Sequence, residues 1–357
     1  MENIINTINN LNFSNITPFF GCESVLLFVF FINILLFLFC KRKANVKKLS
    51  DFTVAIAFLI NTLICGAVYF LNIGNYQSET YLNDFLYLNT EGIFLKAVVN
   101  ILLLMFLFIS SRLIRQTLFK TPLVNANLCM IGLFSCFLTQ INNDILAFLL
   151  LDIVVFFIYK YASLMKTKKD GFFSPDFLLL NVISSVVFYL TITILRFNDS
   201  DSQIAILNTV LFLAYLLKLG IFPSANYFSI SNHKKNLPYL VLLSVYLPFL
   251  GVIGLIKIFS NIILSGDIFM ITSAIFLFLC VFNIAILTLK TKNITKFFGN
   301  LGLFFSIFVI TNFLVSINSY FSLKLASLFA FAMFAVFSLI AIFKINNKQE
   351  KLYFSAF

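Results

Sequence analysis

Residues 216–228 read LLKLGIFPSANYF, and the lysine in that stretch decides how the chain must be built. Lys218 stands between long apolar runs, far along the chain from any other charge. Gly220 follows two residues later and Pro223 three after that, so a helix carrying the lysine meets a breaking pair just beyond it. What surrounds the lysine is more of the same apolar sequence. The chain of 357 residues is 61% hydrophobic and 11% charged, with a mean hydropathy of +1.01. A soluble domain of that length cannot hide so much apolar surface, so the composition is that of a membrane protein.

Apolar segments of about 20 residues recur, the length of a membrane-spanning helix and not of a barrel strand. The opening stretch MENIINTINNLNFSNITPFF (1–20) is polar and Asn-rich, without the basic start of a cleavable signal, and none is expected. Six cysteines, Cys22, Cys40, Cys65, Cys129, Cys136 and Cys280, lie in or beside apolar segments without C-x-x-C spacing, and His233 is the only histidine. They read as small hydrophobes, and neither a metal site nor a disulfide framework is expected. The 49 Phe and the absence of Trp, with abundant Ile, Asn and Lys, follow AT-rich codons and suggest a small organellar genome.

Eleven spans emerge: 19–40, 51–72, 92–113, 121–141, 143–164, 175–197, 203–228, 237–258, 267–289, 294–316 and 320–344. After odd-numbered spans come KRKANVKK (41–48), RLIRQTLFK (112–120), KTKKD (166–170), HKK (233–235), KTKNITK (290–296) and KINNKQEK (344–351). After even-numbered spans come GNYQSETYLNDF (74–85), NN (142–143), NDSD (198–201), SNIILSGD (260–267) and SINS (316–319), without a single Lys or Arg. The positive-inside rule then puts the N-terminus outside and the C-terminus inside. It also accounts for the net charge of +11, which otherwise would invite a nucleic-acid partner. The expected fold is an all-α polytopic membrane protein of about eleven helices, the seventh broken, in one membrane domain (1–357).

An ionisable side chain at mid-membrane costs roughly 2.5–3.5 kcal/mol, so each one needs a reason. Arg196, Lys257, Lys290, Lys324 and Lys344 lie at span ends, where long side chains snorkel to water. Lys96 reads as a similar anchor, Glu23 as interfacial, Lys296 as an inner-surface charge and Asp144 as the outer end of span five. Pro248 reads as a kink in span eight. Two charges have no such explanation. Asp152 sits near the middle of span five, in DILAFLLLDIVVFFIYKY (144–161), and Lys218 mid-span in span seven. An acid and a base on separate helices suggest either a structural pair that neutralises itself or a proton path. Burial and a nearby carboxylate act in opposite senses on a lysine's hold on its proton, so a moving carboxylate can switch it. Gly220 and Pro223 mark a break of the kind found where membrane backbone borders protein or a water-filled cavity.

At these residues the sequence resembles the antiporter-like membrane subunits of respiratory complex I. DILAFLLLDIVVFFIY is similar to the family's fifth helix, with Asp152 at the position of its glutamate, and LLKLGIFPSANYF to its broken seventh helix. LSVYLPFLGVIGLIKIF (243–259) resembles the eighth helix, and NIAILTLKTKNITKFFGNLGLFFSIFVI (283–310) the junction of the ninth and tenth. The likeness covers most of residues 90–345. It divides the chain into three N-terminal helices (19–113), a first antiporter-like repeat (121–258) and an incomplete second one (267–344). Departures are specific. Phe249 follows Pro248 where the family has a second lysine, and Ala225 and Tyr227 replace the usual histidine and tryptophan. The family has fourteen helices, so the resemblance implies that a separate chain supplies the last ones or that they are gone.

The resemblance implies a non-redox, proton-translocating subunit of NADH:ubiquinone oxidoreductase in the mitochondrial inner membrane, with no cofactor bound by this chain. Asp152 and Lys218 would relay the proton at the Gly220/Pro223 break, with Lys257, Lys296 and Lys324 as secondary candidates. Other membrane-arm subunits and lipids would be its partners, and nucleic acid would not. Two alternatives stand beside it: a free-standing cation/proton antiporter, and a purely structural subunit that no longer pumps.

Overall fold

Apolar runs of this length satisfy their backbone in hydrocarbon only by coiling into helices, and a helix stands at each of the eleven expected spans. The computed structural model describes residues 13–39, 44–71, 79–81, 86–114, 121–165, 175–197, 201–221, 237–261, 267–291, 294–316 and 319–346. Its helices are α1 Phe13–Phe39, α2 Ala44–Leu71, α3 Thr90–Ile114, α4 Thr121–Leu138, α5 Asp144–Met165, α6 Pro175–Leu195 and α7 Asp201–Lys218. Span eight is α8 Leu237–Val241, a π-helical turn Leu242–Tyr246, and α9 Leu247–Asn261. Then follow α10 Asp267–Lys290, α11 Ile294–Ser316 and α12 Ser319–Asn346. The expected outer connection after span two contains a short antiparallel pair, β1 Glu79–Tyr81 with β2 Leu86–Leu88. Among the described residues nine helices are long and apolar enough to cross a membrane, and Leu179–Leu195 and Gln203–Lys218 are shorter apolar helices. The chain is an all-α, multi-pass membrane protein.

Local sequence sets the helix ends. Asn89 caps α3 by accepting the Gly92 amide at 2.7 Å, and Asn143 caps α5 by accepting that of Leu146 at 3.1 Å. Asp144 opens α5, where an acid complements the helix dipole.

The chain groups into two compact units, residues 1–104 with 118–142, and residues 105–117 with 143–357. In the first, α1, α2, α4 and the start of α3 converge on Gly132. A Cβ there would stand 3.0 Å from both Leu103 and Phe58 and 3.4 Å from Leu26. A polar brace joins α1, α2 and α4: Ser50 donates to Asn33 Oδ1 at 2.5 Å, and Asn125 Nδ2 reaches Ser50 Oγ and Asp51 Oδ1 at 2.8 Å each.

In the second unit the residues of span eight, Pro238–Phe259, are almost wholly buried and form the core. Aromatic side chains fill the space around them. Phe212, Phe259 and Phe269 pack together at centroid distances of 5.9–6.0 Å. Elsewhere large apolar side chains face outward, Phe278, Phe282 and Leu289 on α10 among them, as they do where lipid is the solvent.

Pro248 does more than kink its helix. Proline has no N–H, so the Ser244 carbonyl loses the partner it would have four residues on. The backbone widens over the preceding turn into a π-helix, and the Leu247 amide bonds five residues back to Leu242. Gly302 of α11 packs on this widened turn, where a Cβ would lie 2.6 Å from the Ser244 carbonyl oxygen.

Candidate functional site

α7 runs for 18 residues, about 27 Å at 1.5 Å per residue, and stops at Lys218. Gly220 takes a left-handed backbone, φ 70°, which costs glycine nothing and other residues dearly. The Gly220 amide then bonds back to the Leu217 carbonyl at 3.0 Å and the Ile221 amide to that of Leu216 at 3.1 Å. These two bonds make a Schellman ending, which satisfies carbonyls that a helix end would otherwise leave bare. Lys218 therefore stands at the break expected at Gly220. It closes its helix, because the left-handed glycine stops the coil there, and the helix dipole favours a cation at that end. Pro223 lies outside the described residues.

The lysine is nonetheless buried, with 1% of its surface exposed. Its ammonium is ion-paired with Asp152 Oδ1 of α5 and donates to Ser185 Oγ of α6 at 2.9 Å. The Ser185 hydroxyl lies 2.8 Å from Asp152 Oδ1 and 2.9 Å from the Asn181 carbonyl. Having one proton, it donates to one of these at a time. Tyr189 donates to Asp152 Oδ2 at 3.2 Å. The Phe148 ring lies 5.1 Å from the ammonium, in cation–π range, and stacks on Phe188 at 3.7 Å. Asp152 is half-buried, with 26% of its side chain accessible, and the serine and the tyrosine each reach one of its oxygens.

Helical spacing assembles this site. Phe148 and Asp152 are four residues apart on α5, as are Ser185 and Tyr189 on α6, so each pair shares a face. α9 closes the rear with glycine. A Cβ on Gly251 would collide with the Leu219 side chain, and one on Gly254 would meet the Tyr215 hydroxyl.

The arrangement can hold a proton or pass one. Lysine, serine and aspartate form a continuous hydrogen-bonded line in which the hydroxyl accepts from the amine while it donates to the acid. Among the secondary candidates, Lys257 is half-buried on α9 and Lys324 exposed on α12. Lys296 is in α11, and its side chain lies outside the described residues.

Sequence reasoning passed over a second buried pair. Glu23 of α1 and Lys96 of α3 meet at 2.5 Å with side chains 5% and 2% exposed, which corrects their assignment to the interface and to snorkelling. The reason is packing depth: the α3 face carrying Lys96 points into the first unit, beside Asn100, whose amide donates to the Lys96 carbonyl at 2.8 Å. Asn61 of α2 links to Asn100 Oδ1 at 3.3 Å. Two buried charges on helices with buried asparagines were the available signal. Ser185 and Tyr189 were likewise legible only as a four-residue polar spacing in an apolar span.

Fold and sites together define a multi-pass, all-α membrane protein that holds ion pairs inside its helical units. Comparison with protein-family models and with curated protein sequences yields no match.

Proposed function

We propose that the chain is an antiporter-like membrane-arm subunit of NADH:ubiquinone oxidoreductase in the mitochondrial inner membrane, of the subunit 2 type that its Lys-Leu-Gly sequence resembles. The observation carrying this reading is the Asp152–Lys218 pair, bridged by Ser185, at a helix that ends on Gly220. With Asp152 in place the ammonium is balanced. With Asp152 withdrawn it stands uncompensated inside the protein, and releasing its proton relieves that cost. The chain works as a non-redox subunit, beside other membrane-arm subunits and lipids.

A structural role without pumping is the second reading, and Phe249 favours it. That residue, 3% exposed in the buried core span, occupies the place of the family's second lysine, so the onward station is not built there.

Gently solubilised membranes test the assignment: the chain is expected to migrate with NADH dehydrogenase activity in a large assembly. Migration as a small free species contradicts it and favours a free-standing antiporter. Within the assembled complex, Lys218→Met is expected to lower the proton-to-electron ratio while NADH oxidation continues. An unchanged ratio would leave the structural reading.

A further inference from the structure

Cys22 of α1 and Cys65 of α2 bring their sulfurs to 3.3 Å, with the residues 1% and 3% exposed. We infer that they form a redox-active dithiol that closes to a disulfide on exposure to a hydroperoxide dissolved in the membrane. The two backbones are already tied at this point. Asn61, one turn before Cys65, donates its side-chain amide to the Cys22 carbonyl at 3.0 Å, and the Cys22 thiol points back at the Asn61 carbonyl at 3.7 Å. A disulfide needs its sulfurs at about 2.05 Å, so closure asks the two sulfurs to approach by roughly 1.3 Å. Ile93, Ile64, Val68, Tyr69 and Ala97 enclose the pair, a setting that admits an apolar oxidant.

The chemistry balances. One sulfur attacks the peroxide oxygen, the O–O bond breaks and an alcohol leaves, which makes that cysteine a sulfenic acid. The second sulfur displaces its oxygen as water. Two thiols and one hydroperoxide give one disulfide, one alcohol and one water, with the sulfurs oxidised and the peroxide reduced. The bond would join α1 to α2 directly beside Glu23, the acid of the first unit's ion pair.

The experiment treats membranes containing the full chain with tert-butyl hydroperoxide, denatures them in N-ethylmaleimide and maps cysteine-bearing peptides by mass spectrometry. Expected is loss of alkylation at both Cys22 and Cys65, and a linked peptide lighter by the two thiol hydrogens that dithiothreitol separates. Cys129 and Cys280, which face no other thiol among the described residues, stay alkylated. Copper–phenanthroline, an oxidant that enters hydrocarbon, is expected to give the same link. Full alkylation of both residues under the two oxidants overturns the inference, as does either residue ending as an unlinked sulfenic or sulfinic acid. In Cys65→Ser the link disappears; a link from Cys22 to any other cysteine also overturns it.

Discussion

At Lys218 the amine faces an acid, a hydroxyl and an aromatic ring, and the acid is the contact whose loss is costliest. Asp152→Asn leaves the buried ammonium uncompensated, a change that in buried pairs destabilises by roughly 3–5 kcal/mol. The partial exposure of Asp152 puts the expectation at the lower end of that range. Adding Lys218→Met to Asp152→Asn removes the orphan charge, so the double variant is expected to be more stable than Asp152→Asn alone. Thermal unfolding of the purified protein checks the order; equal losses would mean the two residues are not coupled. At this scale the sequence displayed the acid and the base, because a charge in an apolar run is conspicuous. Ser185 and Tyr189 were hidden, since hydroxyls are tolerated in membrane helices by bonding their own backbone, and only packing reveals which ones turn to a neighbour. Glu23 and Lys96 were misplaced for a related reason: hydropathy gives depth along a span but not which face of the helix is covered.

Two glycines govern the elements. Gly220→Ala forces an L side chain into the left-handed region, at about 1–2 kcal/mol, and is expected to fray α7 so that Lys218 loses its fixed place. Faster hydrogen exchange at the amides of residues 219–221 in the variant, against unchanged exchange in α5, is the measurement. Gly302→Ala sets a methyl 2.6 Å from the Ser244 carbonyl on the π turn, a backbone atom that cannot rotate aside. Overpacking of that kind costs about 1–3 kcal/mol. Gly299→Ala is the control, because its methyl meets Leu240 at 3.6 Å or more, ordinary contact. A lower melting temperature for Gly302→Ala than for Gly299→Ala is expected, and equality would deny the close approach. All eleven helices were legible from apolar length and loop charge. The π turn was not, because Pro248 announces only that one hydrogen bond is missing. The packing of Gly302 against the widened turn is a tertiary contact that the proline does not announce.

For the whole molecule the charge pattern of the connections predicts orientation. Single-cysteine variants at Thr167 and Asp199, on successive connections, are expected to react with a membrane-impermeant maleimide from opposite faces of sealed vesicles. Thr167→Cys should label from the side bearing the basic connections; labelling of both from one face contradicts the topology. The two ion pairs share a plan. Glu23 pairs with Lys96 from α1 to α3, and Asp152 with Lys218 from α5 to α7. Each bond skips one helix, so its partners cross the membrane in the same direction. In both, the acid precedes the base along the chain. During synthesis the ribosome therefore delivers α1 and α5 with a carboxyl group ahead of its counter-ion, and the partner emerges only after one more helix has been made. Until then each carboxyl lacks its lysine, so the cost of a charge in hydrocarbon is offset only once three helices have been made.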